Sequence, residues 1–115
     1  MSELEYEEFY PQARQDLVKA LASGDPGQVR NALYSAAKYE SDWAWTQEQC
    51  LKFLVHKELE VRWAAVLSLG FIAVFQHRLD LARVLPELHA AKKDNLIAPV
   101  VEDTLEMIQR YIKSD

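Results

Sequence analysis

The sequence predicts an all-α protein of about three antiparallel helical hairpins, six helices in one domain over residues 1–115. Three observations carry that expectation. Gly and Pro are scarce, three and four in 115 residues, while Ala, Leu, Glu, Gln, Lys and Arg, which lose least on entering a helix, are abundant. Apolar residues recur at spacings of three and four along nearly the whole chain, the period of a helix with one buried stripe. Breaks with cap or turn chemistry separate these stretches at intervals short enough for neighbouring helices to lie antiparallel. Half of the residues are apolar and 27% are charged, the balance of a chain that buries a core and not of a disordered tail.

The first helix is expected from about Glu5 to Ala22, with Phe9, Ala13, Leu17, Ala20 and Leu21 forming its stripe, and it stops at Ser23-Gly24. Asp25 followed by Pro26 fits an N-cap and first helical position, because Pro lacks the N–H that has no partner there. The second helix then runs to about Tyr39, with Val29, Ala32, Leu33, Ala36 and Ala37 inward. Glu40 to Trp45 is read as a connection, and Thr46 with Gln49 as a capping box opening a third helix that carries Cys50, Leu51, Leu54 and Val55 to about His56. A fourth helix, from about Leu59 to Gln76, has apolar residues in nearly every direction, which marks a central helix. The fifth, from about Leu79 to Lys92, contains Pro86, expected to kink it or to mark a late start. The sixth, from about Ile97 to Ile112, tolerates Pro99 in its first turn. The hairpins thus cover about residues 5–40, 46–76 and 79–112.

Charge and cysteine usage narrow the function classes. Residues 1–60 hold 6 Lys or Arg against 11 Asp or Glu, whereas residues 61–115 hold 7 of each, so the formal charge of -5 belongs to the first half. Such a surface repels phosphate backbones and anionic lipid, which argues against nucleic acid and membrane and in favour of a protein with a basic surface. The longest apolar run, Trp63 to Phe75, is short for a membrane span and is interrupted by Ser68 and Gly70. With one cysteine, Cys50, and an acidic start instead of a signal peptide, a cytoplasmic setting is expected.

A repeat connects the hairpins. Val29-Arg30 aligns with Val61-Arg62 at a shift of 32 residues, and solenoid repeats fall at roughly 20 to 50 residues. The stretch Glu60-Val61-Arg62-Trp63-Ala64-Ala65-Val66-Leu67-Ser68-Leu69-Gly70 resembles the Val-Arg, Ala-Ala, Leu-Gly signature in the second helix of a HEAT repeat. Asp25-Pro26 with Val29 to Leu33 is similar to it more weakly. Around Asp94 to Leu105 the chain departs from the pattern, with Ala98 in place of the Arg and Pro99 after it. The resemblance implies a right-handed α-solenoid, with the second, fourth and sixth helices lining its concave face and Arg30 and Arg62 in ion pairs within the stack.

No catalytic constellation accompanies this pattern. His56, His77 and His89 have no spacing that puts two ligands on one helix face, and Cys50 has no partner thiol. Cys50 also falls within an apolar stripe, where a thiol is inert. Glu102 and Glu106 lie one turn apart with Asp103 beside them, a solvated acidic face before anything else. No cofactor, metal or enzyme activity is expected. Tyr39, Trp43 and Trp45 flank the acidic Glu40 to Asp42, and Trp63 projects from the fourth helix; such rings anchor protein interfaces because each buries a large area with few torsions to freeze. The alternative is that one or two of them, Trp63 foremost and Trp45 after it, cap the core where the first hairpin meets the second. The resemblance adds Tyr34, Lys38, Glu102 and Glu106 as contact candidates on the concave face. These observations together point to a non-enzymatic protein-binding module. Its most concrete form is a bacterial immunity protein that neutralises a toxin, such as a nuclease with a basic cleft, through an acidic and aromatic surface. The alternatives are a general HEAT-like adaptor, or a nucleic-acid-processing or lyase-type enzyme on the same solenoid.

Overall fold

The computed structural model describes residues 10–112. Over that range six α-helices follow one another, with no strand among the described residues. They are α1 (Arg14–Leu21), α2 (Pro26–Tyr39), α3 (Trp43–Phe53), α4 (Leu59–Gln76), α5 (Leu81–Ala91) and α6 (Ala98–Tyr111). Each consecutive pair is a hairpin, and the hairpins stack in a solenoid-like order. The second helices α2, α4 and α6 lie side by side with α4 in the middle, while α3 packs across α2 and α4. The central place expected of α4 is the one it has, although one apolar side of it stays partly exposed. Leu59–Gln76 is also long and apolar enough by length and composition to cross a membrane, and half of that stretch is buried inside the fold.

Local chemistry sets the boundaries. Gly24 takes the left-handed backbone conformation (φ 79°) that ends the first turn region. Asp25 then accepts a hydrogen bond from the Gly27 amide, with Pro26 in the first turn. Asp80 caps α5 in the same way through the Arg83 amide. Pro99 sits in the first turn of α6, where no intrahelical donor is lost.

Several boundaries differ from the sequence expectation. Among the described residues α1 begins only at Arg14: Ala13 is extended (ψ 149°) and exposed, not inward, two residues after Pro11. Glu5 to Phe9 lie outside the described residues. The capping box at Thr46 and Gln49 does not form, because Asp42 accepts from the Trp45 amide and starts α3 three residues earlier. Trp43 and Trp45 are thus helical residues and not part of a connection. At the other end α3 closes at Phe53, which leaves Val55 86% exposed instead of inward. Pro86 falls inside α5 on its exposed side, five residues after the helix begins, and so does not mark a late start.

One large core holds the hairpins together. Val29, Leu33 and Ala37 of α2 meet Val61, Ala65, Leu69 and Ile72 of α4, which in turn meet Val101 and Ile108 of α6. Small residues at 64, 65 and 73 permit close helix axes, and at Gly70 a β-carbon would lie 2.6 Å from the Met107 methyl. Leu17, Ala32 and Ala36 form a second, smaller cluster between α1 and α2, with Trp45 packed against it. Polar ties cross between hairpins. Gln76 donates to the Glu40 carbonyl at 3.0 Å, Gln47 accepts from the Asp80 amide at 2.8 Å, and Thr104 donates to the Val66 carbonyl at 3.3 Å.

Candidate functional site

Two ion pairs of like geometry also cross between hairpins. Arg30 on α2 pairs with Glu60 on α4 at 2.8 Å, and Arg62 on α4 pairs with Asp94 before α6 at 3.1 Å. Val29 and Val61, the residues just before each Arg, are both buried in the same core. Arg62 also donates to the His56 and Lys57 carbonyls at 3.0 and 3.1 Å, so its planar head is held on three sides. Both arginines act within the stack, as their positions imply, and hold the side-by-side layer that presents the site.

The exposed surface of that layer centres on α4. Its buried residues leave one sector facing outward, and that sector is occupied by Trp63, Leu67, Phe71 and Val74, all half-buried, with Phe75 at its edge 47% exposed. At helical rise the row from Trp63 to Val74 runs about 16 Å. Tyr34 of α2 lies against Phe71 with ring centroids 5.7 Å apart, and Phe71 meets Phe75 edge-on at 6.0 Å. The Lys38 ammonium stands over the rings of Tyr39 and Phe75 at 5.3 and 5.2 Å, a geometry in which the ring quadrupole attracts the cation. Tyr34, Leu59 and Trp63 share a shallow pocket of about 260 Å³ with the Arg30–Glu60 pair. Partial burial raises the Tyr34 phenol above its ordinary pKa.

The expected contact residues therefore divide into three groups, with Trp43 apart from all of them. Tyr34, Lys38, Tyr39 and Trp63 come together on the α2–α4 face. Glu40, Asp42 and Trp45 form a separate corner around Arg14, whose guanidinium donates to Asp42 at 2.8 Å and to Glu40 at 3.3 Å while lying 4.1 Å over the Trp45 ring. There the Trp45 amide bond, and after it Arg14, hold the Asp42 carboxyl below its usual range, and the two carboxylates raise the Arg14 guanidinium. The corner is thus a closed ion-pair network with Trp45 capping the small core. Trp43 packs against the large core from α3. Glu102 and Glu106 are both exposed on α6; Glu102 pairs with Lys92 at 3.0 Å, and Glu106 has no ion pair among the described residues.

Phe71, Phe75 and Met107 belong to the face but were not singled out by sequence reasoning. For Phe71 and Phe75 the signal was the apolar side of α4 opposite Val61 and Leu69, which the sequence reading takes as burial; Met107, on α6, had none. The expected acidity of the surface also changes place. Residues 10–112 carry 12 Lys or Arg and 13 Asp or Glu, and six of those carboxylates are ion-paired. The excess lies instead in Glu3, Glu5, Glu7 and Glu8, outside the described residues. No group of three or more His, Cys, Asp or Glu comes together as a metal-binding set among the described residues. Cys50 is fully buried, and burial pushes its thiol pKa strongly upward.

No protein-family model matches the sequence, and no curated protein matches it. Among solved structures the chain is similar to one from the crystal structure of a contact-dependent inhibition (CDI) complex of Cupriavidus taiwanensis LMG 19424. The likeness has a TM-score of 0.80 and 26% sequence identity, over 88% of this chain and 91% of that one.

Proposed function

We propose that this protein is the immunity partner of a toxin–immunity pair, binding its toxin as a folded, non-enzymatic inhibitor. The observation that carries this reading is the likeness, over nearly the full length of both chains, to a chain found in a CDI complex. The preformed aromatic face on α2 and α4 supports it physically. An inhibitor needs a rigid surface whose side chains are ordered before binding, since ordering them on contact subtracts from affinity. Tyr34 and Phe71 are held by their mutual ring contact, and Trp63 is partly buried against the large core.

The finer reading is a toxin with a basic surface, such as a nuclease, met in the cytoplasm. Glu3, Glu5, Glu7 and Glu8, together with Asp103 and Glu106 on α6, are the carboxylates that favour a cationic partner. The paired Val-Arg steps and their two ion pairs support a HEAT-like repeat as the scaffold.

Co-expression tests the proposal. A bacterial strain producing the toxin domain encoded beside this gene is expected to recover growth when the chain is produced with it, and the two proteins are expected to co-purify. Continued toxicity, with folded chain accumulating in the same cells, overturns the reading.

A further inference from the structure

We infer that the outward stripe of α4, bounded by Lys38 on α2 and by the carboxylates of α6, is the surface that the toxin occupies. This inference rests on the immunity reading and adds to it the place and chemistry of contact. Trp63, Leu67, Phe71 and Val74, each partly exposed, form an apolar row on the central helix that continues into Phe75 and Tyr39, 47% and 40% exposed, and an apolar edge of this kind marks an interaction surface. Its α6 border is close, because Met107 packs onto Gly70, the helical neighbour of Leu67 and Val74. Asp103 lies one turn before Met107 on that helix, and Glu106 directly precedes it.

Charge selects the occupant. Asp103 and Glu106 are exposed and without ion pairs among the described residues, and Arg110, one turn beyond Glu106, does not pair with it. In a second copy of this chain the answering cations would have to come from the opposite border. There Arg30 is held by Glu60, and the Lys38 ammonium lies over two aromatic rings. From that border a second copy thus has little free positive charge to offer, and Arg110 on α6 is one cation set against two free carboxylates, Asp103 and Glu106. The complementary partner presents an apolar segment to α4 and Lys or Arg side chains to α6, which is the chemistry of a basic toxin surface.

Hydroxyl-radical footprinting of the chain alone and in its complex with the toxin domain tests this directly, with binding titrations beside it. Trp63, Phe71, Phe75 and Met107 are expected to become protected in the complex, while Val55 and Leu96, exposed elsewhere, keep their reactivity. Asp103→Lys with Glu106→Lys, both at exposed positions, is expected to weaken toxin binding by about tenfold or more and to flatten its salt dependence. Val55→Glu is expected to leave binding unchanged. A toxin complex that forms with the α4 residues unprotected overturns the assignment while leaving the immunity reading intact. So does protection already present in the free chain that dilution removes, which identifies a second copy, or that deletion of residues 2–9 removes, which identifies the chain's own start. Failure of any complex to form defeats the immunity reading itself.

Discussion

Single side chains in this fold act mainly as ties, and their chemistry fixes what substitution should do. Asp42 both caps α3 and pairs with Arg14, so its folded carboxyl titrates lower than in the unfolded chain. The stabilisation it gives is present above the unfolded carboxylate pKa and is lost as pH falls through the folded one. Asp42→Asn is therefore expected to lower the melting temperature near neutral pH and to leave it nearly unchanged in strong acid, as thermal unfolding at several pH values will show. Arg62 has a larger structural role, with three acceptors and a side chain only 18% exposed. Arg62→Ala is expected to cost about 1–3 kcal/mol in denaturant unfolding, and Arg62→Lys to recover only part, because an ammonium cannot match a planar fork. Cys50, buried and with its thiol pKa raised, is expected to react with a thiol reagent only at the rate of unfolding. The Arg30 and Arg62 ties were legible through the resemblance to a HEAT repeat, whose Val-Arg step both residues match. The Arg14 network was not, since its partners lie 26 and 28 residues away and no local pattern joins them.

At the scale of elements, periodicity placed all six helices but could not say what covers each face. Helical spacing reports that α4 is apolar all round; it does not distinguish a side buried by α2, α3 and α6 from a side left to a partner. Leu69 and Phe75 test that distinction. Leu69 is fully buried in the large core, and Leu69→Ala is expected to destabilise by about 2–5 kcal/mol. Phe75→Ala, on the exposed edge, is expected to change stability by no more than about 0.5 kcal/mol, and calorimetric melts of the two variants will show the contrast. Helix ends were the least legible features. Two Asp residues, Asp42 and Asp80, bind the amides three residues on and set the starts of α3 and α5. The sequence reading took Thr46 as the cap of α3, and Thr46 is instead buried, with its hydroxyl directed to the Asp42 carbonyl.

For the whole molecule, stacking turns three modest hairpins into one slab whose middle helix carries the outward apolar row. The charge of this slab is nearly balanced, and the acidic excess sits in the first eight residues. Deleting residues 2–9 is therefore expected to slow association with a basic toxin several-fold at low salt, with little change in dissociation, as stopped-flow binding at two ionic strengths will reveal. The stack also explains why 26% identity suffices for a likeness at TM-score 0.80: the shape depends on small residues, core volume and a few ion pairs, which tolerate broad exchange elsewhere. The central claim, that this slab is a stoichiometric inhibitor of a toxin, is tested most directly by titrating the purified chain into the toxin domain encoded beside it. Calorimetric heat and toxin activity are followed together. The account predicts a saturable one-to-one complex in which toxin activity vanishes at equivalence. Full toxin activity in the presence of a several-fold excess of folded chain would contradict it.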